Sequence, residues 1–587
     1  MIIKHLKPKN PTLCLALLLT FGVNLAELRA ADAIDISQPR WLKSDAPRSG
    51  DEDYIFTPKG FSSAGKPAIA WGAKVALLEV IVRDRATGKP TPCRVNVVGP
   101  DGNFYQPQKT RLTPYNLTGQ WPKSLAGNRP GKAPIRYFGR FFYTDGNFRL
   151  FVPPGKSRIE VWKGFEYQPV SIELKTEAKG ARKVELSLER TVPMAESGYY
   201  SGDTHLHFER RTEADDQTIL DLMEAEDVFY SSILCYNGTG SYDGRMGKQD
   251  IQQLRGLGMP SLVKRGNYRI MSAQEYRSNH YGHTKVFLSD EIVQPGKSYD
   301  PNSWPVFGEA VADIRKKGGL VFWAHGGYSK EIFADFALGK VDGVELMQFG
   351  IYRPIGLEGW YKILNVGFRF PALGASDYPA CRKLADCRTY VYSEKEPRFD
   401  DWLRGAAAGR SFMTSGPLLL LEVDGEKPGT IIRLKAGDAN TRRVRIRVRS
   451  EVAPITHVDL IVNGHTVKRL RVPMERGMGR WHELSAKLEL SASSWIAASA
   501  YSEAPSGSAD AEAHTNPVYV YFDEKAPYDS EALNWLLSRL DERIAFHRKR
   551  KIAVGKENVM DYFESARKRL VEIRKRGGLQ ATEAGMR

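Results

Sequence analysis

The sequence predicts a multidomain protein of mixed α/β and all-β class: an α/β barrel flanked by two β-sandwich domains, with a helical basic segment at the C-terminus. Three observations carry this expectation. At 587 residues the chain is too long for a single hydrophobic core. From about Gly198 to Gly409 short apolar runs of strand type alternate with stretches at helical spacing, whereas residues 71–190 and 415–526 carry strand and turn signals only. The alternating stretch also holds His205, His207, His280, His283 and His325, five of the 11 histidines in the chain.

Residues 1–33 read as a secretory leader. Lys4, Lys7 and Lys9 precede the apolar run 13–23, and small residues follow at Ala30, Ala31 and Ala33. The run is too short to span a bilayer, and Cys14 lies at its beginning rather than after it, which argues against a lipid-modified cysteine. No later segment has the apolar length of a membrane helix, so the chain is expected to be exported and soluble, periplasmic or extracellular. Removing 1–33 takes away four basic and two acidic side chains, so the formal charge of +16 falls by 2 to +14. Residues 541–587 hold 13 basic and 7 acidic side chains, a net of +6. Much of the excess charge is thus a property of the last segment. It reads as a solvated basic helix and not as a specific nucleic-acid surface.

Residues 34–70 are polar and aperiodic and read as an extended arm. In 71–190 the runs 75–82, 94–98, 148–152 and 159–162 are separated by Thr87-Gly88, Gly99-Pro100-Asp101-Gly102 and Pro153-Pro154-Gly155, a small β-sandwich pattern. Its phrases VRDRATGKPTPCRVNVVGPDG and VPPGKSRIEVWKGFEY resemble carboxypeptidase-regulatory or transthyretin-like modules, which implies a structural role. In 195–414, helices are expected over 216–227 and 305–317, and strands over 232–236, 284–288, 320–324, 343–347, 370–373 and 389–392. A parallel barrel closes that number of strands most economically, with the active site at the C-terminal rim. In 415–526 Val444, Ile446 and Val448 alternate with Arg443, Arg445, Arg447 and Arg449, and Asn463-Gly464 supplies a tight hairpin turn. The segment 527–587 is helical, with apolar faces through Leu533, Leu536, Leu537, Leu540 and Ile544 and through Val559, Phe563, Ala566, Leu570 and Ile573, and a break at Gly555. Cys93, Cys235, Cys381 and Cys387 include no close CxxC pair; Cys381 and Cys387 either close a small disulfide loop beside Asp377 or remain two free thiols.

The chemistry lies in dispersed metal-ligand side chains: Asp203-Thr204-His205-Leu206-His207, then Glu275, His283, His325 and Asp377. Each adjoins an apolar strand-type segment, so strand ends can converge as imidazoles and carboxylates must around a divalent cation. His205 and His207, two apart on a strand, project to one face and can share an ion. Glu275 has two oxygens and can bridge two cations: His205, His207, Glu275 and Asp377 for the first, Glu275, His283 and His325 for the second. Zinc, manganese and iron all suit this mix. Asp377 or Asp203 is expected to accept a proton, and Arg277, Arg382 and Arg388 to grip a negative group on the substrate. His280, in a polar turn, reads as outside the ligand set, and His465 and His514 as structural.

GDTHLH, QEYRSNHYGH, FWAHGG and GASDYP, with the closing AAAGRSFMTSGPLLLLEVDG, resemble the polymerase and histidinol phosphatase (PHP) superfamily and, within it, the exported CehA/McbA-like metallohydrolases. The resemblance covers residues 195–420 and implies a distorted (β/α)7 PHP-type barrel with His205, His207, Glu275, His283, His325 and Asp377 in ligand positions. Members with three metals carry further histidines after the second strand and two residues beyond the late Asp; here YSSILCYN and Tyr378-Pro379 stand instead, so a binuclear site is expected, or a mononuclear one if Glu275 does not bridge. The expected activity is hydrolysis of an ester-type bond, phosphoester or carboxyl/carbamate ester, in a small molecule or envelope polymer. The alternative is a catalytically inactive envelope glycan-binding protein built on the same barrel.

Overall fold

The computed structural model describes residues 33–35, 74–116, 141–238, 254–293, 300–348, 351–352, 354–378, 383–435, 437–503 and 509–585. The leader up to residue 32, most of the arm, Cys381 and Arg382 lie outside the described residues. The described chain is a mixed α/β protein in which β structure dominates and one large sheet curls into a half-barrel.

Residues 74–190 form two four-stranded sheets. One contains Ala76–Asp84 between Asn147–Val152 and Ala181–Arg190; the other contains Cys93–Val98 and Gly155–Trp162. Every second residue from Ala76 to Val82 is buried, so one face of this strand packs with Val95, Val97, Ile159 and Val161 of the facing sheet.

The curled sheet begins with Tyr199–Leu206, parallel to Tyr230–Gly238, which is parallel to Tyr268–Ser278. Between the first two runs helix Glu213–Ala225, started by a capping box in which Thr212 and Asp215 satisfy each other's backbone N–H groups. Gly282–Phe287 then returns antiparallel and is itself antiparallel to Leu320–Trp323. Gly343–Gln348 and Ala372–Gly374 follow in parallel. The sheet curls far enough for Leu206 to bridge Tyr378, just after Ala372–Gly374, where the His207 N–H donates to the Tyr378 carbonyl at 2.8 Å.

The expected all-parallel arrangement is therefore corrected: besides the two pairings of Gly282–Phe287, Tyr199–Leu206 runs antiparallel to Arg388–Tyr392 and Gly258–Arg265 antiparallel to Tyr268–Ser278. Only Asn279, His280 and Tyr281 separate Tyr268–Ser278 from Gly282–Phe287, and three residues can make a hairpin but not the crossover that parallel strands need. Reversal brings His283, at the start of its strand, opposite Arg277 near the end of the preceding one. The helical stretch expected over 305–317 divides into Phe307–Ala310 and Ala312–Lys316.

Strand Ser411–Thr414 joins the curled sheet to the C-terminal β region, pairing with Arg388–Tyr392 on one side and Ala509–Thr515 on the other. There Val444, Ile446 and Val448 point into a core shared with Leu484, Ile496 and Ala498. The hairpin His457–Val462/His465–Arg471 turns through Asn463 and Gly464, both with left-handed φ (49° and 86°). Ala33–Asp35 lies parallel to Lys487–Glu489 at the edge of this region.

The C-terminal helices Ser530–Lys549 and Lys556–Arg576, separated by Gly555 at φ 68°, correct the reading of a solvated tail. Leu533, Leu536, Leu540, Val559, Phe563 and Leu570 belong to the same core as Trp323, Phe333, Phe336 and Trp360 of the curled sheet and its helices. Their charged residues face outward and their apolar stripes are covered, as amphipathic spacing requires. Among the described residues no helix is long and apolar enough to cross a membrane.

Candidate metal centre

At one end of the curled sheet the strands deliver six dispersed side chains to one place. His205 and His207 come from the end of the first strand, Glu275 from the third, and His283 from the returning strand. His325 and Asp377 follow Leu320–Trp323 and Ala372–Gly374. Both hold left-handed backbones (φ 53° and 55°), a conformation that costs a non-glycine residue on the order of 1–2 kcal/mol and that surrounding structure must impose. Gly202 permits the approach of the first strand, because a Cβ there would lie 2.4 Å from the Trp402 ring.

His205 Nε2 lies 3.2 Å from His207 Nε2, 3.7 Å from Glu275 Oε2 and 3.3 Å from Asp377 Oδ1. His207 Nε2 is 3.3 Å from each of the same two oxygens. Metal–ligand bonds of about 2.0–2.2 Å at tetrahedral angles separate neighbouring donors by roughly 3.3–3.6 Å, so these spacings match a tetrahedral cation site.

The outer ring nitrogens each have an acceptor of their own. His207 Nδ1 meets the Leu234 carbonyl at 3.0 Å and His205 Nδ1 meets Glu345 Oε2 at 2.8 Å. With those protons on Nδ1, the two Nε2 atoms face each other and two carboxylate oxygens, an arrangement that positive charge satisfies, either a cation between them or a proton on one of the rings. The acid–base balance also favours positive charge at this point. Burial alone would lower His205, yet Glu345 and Asp377 outweigh it and push the imidazole up to about 10. Burial would raise Glu275, but the Arg277 guanidinium and hydrogen bonds from His205, His207 and His283 hold it well below the ordinary carboxylate range.

Glu275 turns its second oxygen to another set: Oε1 is 2.9 Å from His283 Nδ1 and 3.2 Å from His325 Nε2. His325 Nδ1 is engaged by the Gln348 amide, 3.1 Å from Oε1. Burial holds the His283 ring neutral, its value lowered to about 3. The cluster's buried His, Glu and Asp groups could therefore hold metal ions, His205, His207 and Asp377 in one trio and Glu275, His283 and His325 in another.

The remaining expected residues divide. Asp203 is fully buried and accepts the N–H groups of His205 and Ser376, each at 3.1 Å, which ties two ligand-bearing segments together; burial raises it to about 6. Arg277 is in the cluster, but donates to Glu275 Oε2 at 2.9 and 2.7 Å and so is committed to a ligand rather than to a substrate. Arg388 corrects its expected role. It is fully buried, donates to the carbonyls of Glu226 and Ala385 at 2.9 and 3.0 Å, and lies 3.9 Å over the Phe165 ring. Arg382 falls outside the described residues. His280 sits on the hairpin turn with its carbonyl accepting from Arg543; His514 is buried with Nε2 2.6 Å from the Tyr361 hydroxyl.

Sequence reasoning missed Glu345, Lys285 and Gln348. Glu345 accepts from His205 and from the ammonium of Lys285, and Gln348 Nε2 donates to it at 3.0 Å. The signal was present: a carboxylate and a lysine inside apolar strands buried on both faces must be paired.

No protein-family model matches the chain, and a comparison with curated proteins gives no match. Solved structures similar to part of it include PsfC from Pseudomonas syringae PB-5123, 14% identical over 35% of this chain and 88% of that one, with a TM-score of 0.23. Another is the lesion-specific endonuclease PfuEndoQ from Pyrococcus furiosus, 10% identical over 34% of this chain and 54% of the endonuclease, TM-score 0.21. The chain thus matches about half of the endonuclease's length.

Proposed function

We propose that this protein is an exported metal-dependent hydrolase of ester-type bonds, phosphoester or carboxyl/carbamate ester, built on a distorted PHP-type barrel of the CehA/McbA-like kind. The observation that carries the reading is the division of Glu275, one oxygen toward His205 and His207 and the other toward His283 and His325. In this reading His205, His207, Asp377 and Glu275 hold one divalent ion, and Glu275, His283 and His325 hold a second. Such ions, when bound, supply an acidified water and a Lewis acid for the ester oxygen.

The chain's own groups do the rest. Glu345 and the Leu234 carbonyl fix the ring tautomers, so that Nε2 of His205 and His207 is always the ligating atom. We assign the proton-accepting role to Asp377, which has an oxygen near both Nε2 atoms and another 3.7 Å from His325. Asp203 holds the His205 and Ser376 backbone instead. The leader pattern in 1–33 supports export, and with it a small-molecule or envelope-polymer substrate in the periplasm or outside the cell.

Elemental analysis of the purified full chain should find about two ions of zinc, manganese or iron, and a panel of phosphodiester, phosphomonoester and aryl-ester substrates should show turnover that a chelator abolishes. Metal-free protein after mild purification that neither takes up these ions nor turns over any of the panel would overturn the proposal.

A further inference from the structure

Lys285 is a fully buried lysine whose side chain does not reach solvent. It stands two residues from His283 on the same strand, directly across from Glu275 in the hairpin, and its ammonium is held by Glu345 Oε2 and by Thr204 Oγ1 at 2.8 Å. Glu345 is the hub. Its Oε2 takes both Lys285 and His205 Nδ1, and its Oε1 takes Gln348 Nε2, whose amide also engages His325 Nδ1. A register shift between Glu345 and Met347 lets Glu345 and Gln348, three apart on one strand, turn to the same side. The outer nitrogens of one histidine from each proposed ion site therefore end on one carboxylate, directly or through a single amide.

Resting on the two-ion reading above, we infer that Lys285 is a positioning residue for the metal centre: its ammonium pins the Glu345 carboxylate against His205 Nδ1 and keeps it from becoming a ligand itself. The argument is one of charge and reach. Glu345 with His205 and His325 forms a trio of potential donors within ligand distance of one another, beneath the trios that use Glu275 and Asp377. A carboxylate free to rotate there would compete for a cation and would release His205. Lysine supplies a fixed positive charge at that point, so Glu345 stays an acceptor of the His205 N–H. The Thr204 hydroxyl, beside His205 in the chain, sets where the ammonium sits.

The test is zinc and manganese binding by full-length variants, followed by titration calorimetry and elemental analysis. Lys285→Met should weaken one binding step by about 10–100-fold, the range for loss of an outer partner of a metal-bound histidine. The weakened step should be the one that His207→Ala removes, not the one that His283→Ala removes. Because Lys285→Met leaves a buried carboxylate without its cation and so destabilises the fold, Lys285→Met/Glu345→Gln replaces the ion pair by a neutral pair. That double variant should regain thermal stability while its weakened binding step stays weak. Unchanged metal affinity in a folded Lys285 variant, or affinity that recovers in step with stability, overturns the inference and leaves the two-ion reading intact. A wild-type chain that binds neither ion overturns that reading first, and the inference with it.

Discussion

Two groups of carboxylates are buried in this molecule and behave in opposite ways. At the strand ends Glu275 and Glu345, fully buried, and Asp377, largely so, are all held below the ordinary carboxylate range, because imidazoles, Arg277 and Lys285 surround them. Behind the His325 loop Glu331 and Asp335 are raised instead, Glu331 well above its usual value and Asp335 to about 7. Burial is the largest influence on both, and Asp335 adds a like charge to Glu331; the partners are a Gly308 N–H and the Tyr562 hydroxyl, the latter at 2.6 Å. Burial alone therefore does not mark a cation site. What distinguishes the first group is the positive charge that faces it, from His205, Arg277 and Lys285, whereas the second satisfies itself by keeping a proton.

The largest effect should come from removing the imidazoles that define the first group. His205→Ala/His207→Ala is expected to abolish bound metal at that site and reduce hydrolysis by at least ~10³-fold, the loss of several kcal/mol of cation-assisted catalysis. Turnover surviving in that variant would place the chemistry elsewhere. His283→Ala should be milder and more selective: one ion of two lost, with the His205/His207 ion retained and activity down by roughly 10²-fold. Loss of both ions together in His283→Ala would show that the two halves are not separable at Glu275.

The second group gives a prediction about stability rather than activity. Asp335 has its native value raised above 3.8, so the native state binds a proton that the unfolded chain releases between about pH 4 and 7. The stabilising contribution is thus complete below pH 4 and is lost as pH rises through about 7. Thermal unfolding of the wild type and Asp335→Asn side by side should show the wild type's advantage falling across that window by on the order of a few kcal/mol. An advantage that holds or rises from pH 4 to 7 would mean the pair is ionised in the fold.

How much of this was legible in the sequence follows from the same contrast. His205-Leu206-His207 and the late Asp377 were readable because metal ligands at strand ends need only residue type and spacing, and the alternation at 444–448 needs only a period of two. The reversal at Gly282–Phe287 was not, because Asn279-His280-Tyr281 lacks the Asn-Gly or Asp-Gly pair that marks a tight hairpin. Glu345 and Lys285 were hidden for a different reason. Each is one polar residue in an apolar strand, and its partner is 60 residues away in the chain, so only the curled sheet reveals that they meet. The C-terminal helices showed their apolar stripes plainly, but not the face of Phe333 and Trp360 that covers them.

Arg277 and Arg388 carry the contrast to its smallest expected effect. Both stood beside proposed ligands in the sequence, and both are buried, yet one charge meets a carboxylate and the other meets carbonyl oxygens and a ring. Replacing Arg388 by Met keeps most of the volume over Phe165 and removes the donors to Ala385 and Glu226, leaving buried carbonyls unsatisfied. That should cost about 1–3 kcal/mol of stability. Because none of its partners belongs to the cation cluster, KM and metal content should remain at wild-type values on whatever ester proves to be turned over. A rise in KM without loss of stability would reverse the assignment and return Arg388 to the substrate, in which case the strand Arg388–Tyr392 would have to open toward the metal centre.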